Sequence, residues 1–104
     1  MSKMSKACDI SKAVKQEVWE RDGGRCIFCG SPQATPNMHY IPRSHGGLGV
    51  PQNIGTGCQT CHNLLDNSQH RRFLLQEFRF YLMHQYPDWD ENKLIYKKGE
   101  RDAE

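Results

Sequence analysis

The chain has 104 residues, 14 Lys and Arg against 12 Asp and Glu for a formal net charge of +2, and 37% hydrophobic residues. That length supports a single domain with a modest core, and so short a chain often needs a staple beyond apolar burial. No apolar run approaches the roughly 20 residues of a membrane span, and MSKMSKACD lacks the apolar stretch of a secretory signal.

A cytoplasmic location is therefore expected. In that reducing compartment the five cysteines point to metal binding over disulfides. The charge is uneven: residues 1–87 hold ten Lys and Arg against six Asp and Glu, and residues 88–104 hold four against six, a +4 body before a −2 tail. A mildly basic body is compatible with a nucleic-acid partner, and it is also common in proteins that bind none.

In chain order, residues 1–9 are expected to be a flexible N-terminus. Ile10, Val14 and Val18 recur every four positions and predict an amphipathic helix over residues 9–21, capped by Asp9 or Ser11 and ended by Gly23 and Gly24. Two short strands are expected at CIF and MHYI, joined by the loop GSPQATPN. The stretch PRSHGGLGVPQN has neither helix nor strand period. An irregular loop that long in so small a domain is usually functional.

From Thr60 the pattern is helical, and Leu74, Leu75, Phe78, Tyr81 and Leu82 predict a second helix over residues 71–86. Trp19, Phe73, Phe78 and Tyr81 fall at core spacing and are read as packing residues. Pro87 stops the helix, Asp88 or Asp90 can start another short one, and residues 88–104 form a C-terminal extension with a charged tail.

The strongest signal is cysteine spacing. Cys26 and Cys29 form one C-x-x-C and Cys58 and Cys61 another, with 28 residues between the pairs. Each tight turn presents two thiolates to one ion, and two turns complete a closed tetrahedral S4 site, which suits structural Zn2+. A redox role needs only one such pair, and neither lies in a thioredoxin-like strand-to-helix context. Cys8 stands apart as a free thiol.

The segments HYIPRSHGG, then Asn53 followed by Ile54, then CQTCHN resemble the HNH motif of the ββα-metal endonucleases, in particular the short HNH proteins of phages and prophages. The resemblance covers roughly residues 10–98. It implies an α+β fold, a small zinc-stapled ββα-metal core flanked by N- and C-terminal helices, with the nuclease domain over residues 10–87. It also implies metal-dependent hydrolysis of DNA phosphodiester bonds in the cytoplasm of a bacterial host.

Carried over by position, His39 would be the general base and Asn53 would orient it through nearby backbone. His62 would bind a catalytic divalent ion, Mg2+, Mn2+, Ni2+ or Zn2+. Met38 departs from the pattern, because the family usually has an aspartate, glutamate or histidine ligand before the base, and a thioether is a poor ligand for hard ions. Asp66, one turn after His62 on the same helix face, offers a replacement.

Arg43, His45, Arg71 and Arg72 are candidates for phosphate contact, as are Lys12 and Lys15 on the first helix. His70 and His84 are read as solvated helix residues. DNA is the expected partner, with the DNA-packaging terminase as a further one implied by the phage resemblance. The rival expectation is a zinc-held module that binds DNA or protein through a degenerate, inactive site.

Overall fold

The computed structural model describes residues 3–67 and 69–97 as a small α+β domain built on a two-stranded antiparallel sheet. Helix α2 (Lys12–Arg21) starts at Ser11, whose hydroxyl accepts from the Val14 N–H at 3.2 Å, and it buries Val18 against the body. It starts three residues later than the hydrophobic period suggested, because Ser11 takes an extended conformation and caps it. The supposed flexible lead-in is α1 (Lys3–Cys8), and its last residue, Cys8, is buried.

Strand β1 (Ala34–His39) pairs with β2 (Ile54–Cys58), placing Met38 opposite Gly55 and His39 opposite Ile54. CIF, expected as a strand, instead belongs to the first cysteine turn, and its Ile27 N–H donates to the Thr56 carbonyl at 3.0 Å. The second strand is IGTGC, buried along its whole length. Its glycines allow bulky side chains to lie directly on the backbone: a Cβ at Gly55 would meet the Phe78 ring at 2.8 Å, and one at Gly57 the Met38 sulfur at 2.7 Å.

Helices α3 (Gln59–Asn67) and α4 (Arg71–Gln85) close the core. Met38, Leu65, Phe78 and Leu82 form its buried centre, and Phe28 and Tyr40 meet the Phe78 ring edge-on at 5.9 and 5.6 Å. Each such fully buried side chain contributes about 1.5–3 kcal/mol. Phe73 breaks the expected pattern, since at 61% exposure it lies on the wet face of α4, as does Phe80. Trp19 is half-buried, and Tyr81 packs at the margin of the core.

A buried polar clamp ties α2 to the sheet. The Asp22 carboxylate accepts from the Arg21 guanidinium, the Thr56 N–H and the Tyr81 hydroxyl, while Arg21 also donates to the carbonyls of Pro51 and Ile54 at 2.8 and 2.7 Å. A buried ion pair persists when its remaining donors and acceptors are also matched, as they are here.

Residues 88–97 are woven into the domain instead of extending from it. The Trp89 indole N–H donates to the Gln52 carbonyl at 2.8 Å and its ring meets Tyr40. Asp90 caps a 3-10 turn, Glu91–Leu94, that buries Leu94. Leu48 N–H donates to the Leu94 carbonyl and Tyr96 N–H to that of Gly46, both at 2.8 Å. The charged tail expected over residues 98–104 lies outside the described residues. Among those described, no helix is long and apolar enough to cross a membrane.

Candidate metal centre and active-site cleft

The two cysteine turns meet at one end of the sheet, where Ala34 at the start of β1 pairs with Cys58 at the end of β2. Cys26 and Cys29 sit in the tight turn closed by the Gly30 N–H donating to the Cys26 carbonyl at 2.9 Å, and Cys58 and Cys61 span the junction of β2 and α3. All four sulfurs lie within 4.8 Å of one another. A tetrahedral zinc site with Zn–S bonds of about 2.3 Å needs S···S edges near 3.8 Å, and Cys29 and Cys58 stand 3.6 Å apart.

The electrostatics also fit a cation. Burial would raise the Cys26 thiol, yet backbone N–H groups of Cys29, Cys58 and Phe28 and a neighbouring thiol bring it down to about 7. Burial, with the other three sulfurs beside it, pushes Cys61 far up. Four thiols packed this way cannot all ionise without a positive charge among them, so metal binding and proton release are coupled. Among the described residues this is the one cluster of three or more such donors close enough to share an ion. Cys8 is not part of it.

The loop between the strands builds a second site. Asn53 is fully buried and acts as its internal brace: its Oδ1 accepts from the Ile41 N–H at 2.8 Å, and its Nδ2 donates to the carbonyls of Ile41 and Leu48 at 3.2 and 2.9 Å. Its own carbonyl accepts from Tyr40 N–H, one residue after His39. Asn53→Ala strands three backbone groups, one buried and two partly buried, and a buried one left unpaired costs about 1–3 kcal/mol. The expected result is a loss of roughly 3 kcal/mol in chemical denaturation, larger than for any exposed loop residue.

An open cleft of about 280 Å³ lies beside that loop, lined by His39, Arg43, His62, Asp66 and Arg71 together with Asn37. His39 and Asn37 reach it from the same face of β1, as strand alternation requires. His62 and Asp66 reach it from successive turns of α3, with His62 Nε2 3.4 Å from Asp66 Oδ2. An imidazole and a carboxylate in one cleft form a donor pair suited to a borderline divalent ion.

The His39 ring is held by its Nε2, 3.0 Å from the Cys8 carbonyl. A carbonyl only accepts, so Nε2 carries the proton and Nδ1 is left with a lone pair. Burial lowers the pKa of this ring below the ordinary imidazole range; the Cys8 carbonyl opposes that shift, and the Arg43 and His62 charges add to it. His39 is therefore neutral at pH 7. Arg43 pairs with Asp9 at 2.8 Å, and Arg71 donates to the Leu65 carbonyl at 3.1 Å.

Other residues singled out in the sequence fall elsewhere. His45 is exposed in the 3-10 turn Arg43–His45 and Arg72 on α4, and neither lines the cleft. His70 and His84 are exposed on α4 or at its start, with His84 stacked on Phe80. Lys12 and Lys15 lie on the exposed side of α2, away from the cleft lining.

Met38 is the sharpest correction. It does not occupy a ligand position beside His39: it is 1% exposed and faces Leu65, Phe78 and Leu82 from the opposite side of β1. Strand alternation was the available signal, because consecutive residues point to opposite faces. The Cys8 carbonyl, by contrast, is a backbone group with no mark in the sequence.

No family model and no curated protein matches the chain.

Proposed function

We propose that the protein is a metal-dependent endonuclease of the HNH type that nicks or cleaves DNA. The observation that carries this reading is the neutral, backbone-held His39 sharing one cleft with His62, Asp66 and two arginines. Neutral imidazole with a free Nδ1 is the form able to take a proton from an attacking water. Arg43 and Arg71 suit contact with a phosphodiester, and Asn53 keeps the loop beneath the base in one conformation.

His62 and Asp66 are the residues that would hold a divalent ion, whose contribution is to neutralise charge on the scissile phosphate and stabilise the departing oxygen. The four-cysteine centre has no open coordination position and is assigned to the fold. Phage origin and a terminase partner belong to the same proposal and rest on the resemblance alone.

One observation favours a second reading, a module that binds DNA without cutting it. Because Met38 faces the core, β1 brings no anionic ligand to the cleft, and the ion would depend on two side chains. Plasmid nicking measured across Mg2+, Mn2+, Ni2+, Co2+ and Zn2+ separates the two. The expected result is metal-dependent nicking that falls about 10²- to 10⁴-fold in His39→Ala while zinc content is retained and unfolding stays cooperative. DNA binding without nicking, or nicking that survives the substitution, overturns the nuclease reading.

The pH profile has a definite sign. Since the folded site disfavours protonated His39, the base stays competent down through pH about 6.5, the ordinary imidazole value, and the acid limb falls below it. Stability follows the same direction: the unfolded chain takes up the proton first, so the fold weakens as pH drops through that range. A nicking rate that collapses already above pH 7 contradicts this environment.

A further inference from the structure

The last turn of α1 meets the cleft loop with its carbonyls. In a helix the final four carbonyls have no partner within the helix, and here they are Ser5, Lys6, Ala7 and Cys8. Lys6 is taken by the Asp9 N–H. The other three are met by groups of β1 and the loop after it: Ser5 by Arg43 Nη2 at 3.4 Å, Ala7 by Gly49 N–H at 3.0 Å and Cys8 by His39 Nε2 at 3.0 Å.

Two further features make this a built contact. Asp9, just past the helix, pairs with Arg43 at 2.8 Å. Gly49 lies so close to the helix end that a Cβ there would overlap the Asp9 carbonyl and press on that of Cys8. A six-residue helix has no stability of its own in water, so α1 owes its order to this docking.

We infer that α1 is a positioning element for His39: its terminal carbonyl holds the ring proton on Nε2 and thereby keeps Nδ1 available. The negative end of the helix dipole, which lies at this terminus, favours the N–H it faces. The catalytic consequence rests on the reading of His39 as a base, whereas the choice of tautomer does not depend on any activity.

The test uses two full-length, zinc-loaded variants, Gly49→Ala, which wedges the loop off the helix, and Ala7→Pro, which breaks α1 outside the core. Nitrogen-15 NMR of the His39 ring reads the tautomer, plasmid nicking gives kcat and KM, and zinc stoichiometry with a urea midpoint reports the fold. The wild-type ring is expected as the Nε2–H form. In the variants it becomes a mixture, with kcat down at least about 10-fold, KM within about twofold and zinc retained.

A wild-type ring protonated on Nδ1 overturns the inference, as does an unchanged Nε2–H ring in a folded variant. A mixed tautomer with unchanged kcat overturns its catalytic part. Should the wild-type protein nick nothing with any ion, the nuclease reading fails and the tautomer measurement alone decides whether α1 positions the ring. If Gly49→Ala loses zinc, Ala7→Pro carries the comparison.

Discussion

Met38→Asp is expected to unfold the domain and not to supply a missing metal ligand. The side chain is enclosed by Leu65, Phe78 and Leu82, and its sulfur rests on the backbone at Gly57. A carboxylate placed there loses water and gains no partner, a penalty of several kcal/mol against a total stability of about 5–15 kcal/mol. Met38→Leu, close in volume, costs less than about 1.5 kcal/mol. Urea denaturation of the two variants checks this: Asp collapses the midpoint and Leu barely moves it. A stable Met38→Asp protein with higher Mg2+-dependent nicking would mean that the strand can turn this residue into the cleft.

Keeping a metal ion out of the four-cysteine cluster is the second large effect expected. The centre joins the turn after α2 to the junction of β2 and α3, and among the described residues the buried core contains a dozen apolar and cysteine side chains, three of them cysteines of the centre itself. Structural zinc contributes an apparent 10–16 kcal/mol in small zinc domains. Chelation, or Cys58→Ser, therefore abolishes cooperative thermal unfolding followed by circular dichroism, and readdition of Zn2+ restores it only to the unsubstituted chain. A stripped protein that melts at an unchanged temperature would assign the four thiols another role.

Much of the fold is legible from periodicity and spacing. The two C-x-x-C pairs are readable because a tetrahedral thiolate site demands local pairs. Helices α2 and α4 are readable because their apolar side chains recur every three or four residues, Val14 and Val18 on the first and Phe78 and Leu82 on the second. Strand β2 is not, since IGTGC was shaped by what lies on it: glycine there serves the Phe78 ring and the Met38 thioether, and strand propensity scales penalise glycine. CIF has the better strand composition and is held in a turn by its cysteine.

In the cleft, the shared helix face of His62 and Asp66 follows from their four-residue spacing, and the structure brings both to His39. The brace made by Asn53 was expected in outline, and its three partners are backbone groups that only the folded loop defines. The exposed Phe73 and the docked α1 were missed for a common reason. Core spacing on one helix says which residues share a face, while the partner that covers the face, or leaves it wet, lies far away in the chain.

The loop from residue 46 to 49 is gripped from both sides, by Ala7, which precedes it in the chain, and by Leu94, Ile95 and Tyr96, which follow it by more than 40 residues. That arrangement has a consequence in time. During synthesis the cysteine turns, the sheet and α4 are all available before residue 94 exists, so a zinc-held core can form first and the loop last. The loop beside the cleft is locked only after residue 96 has been made, and a ribosome-bound fragment that stops before it would carry the four-cysteine cluster without a finished cleft.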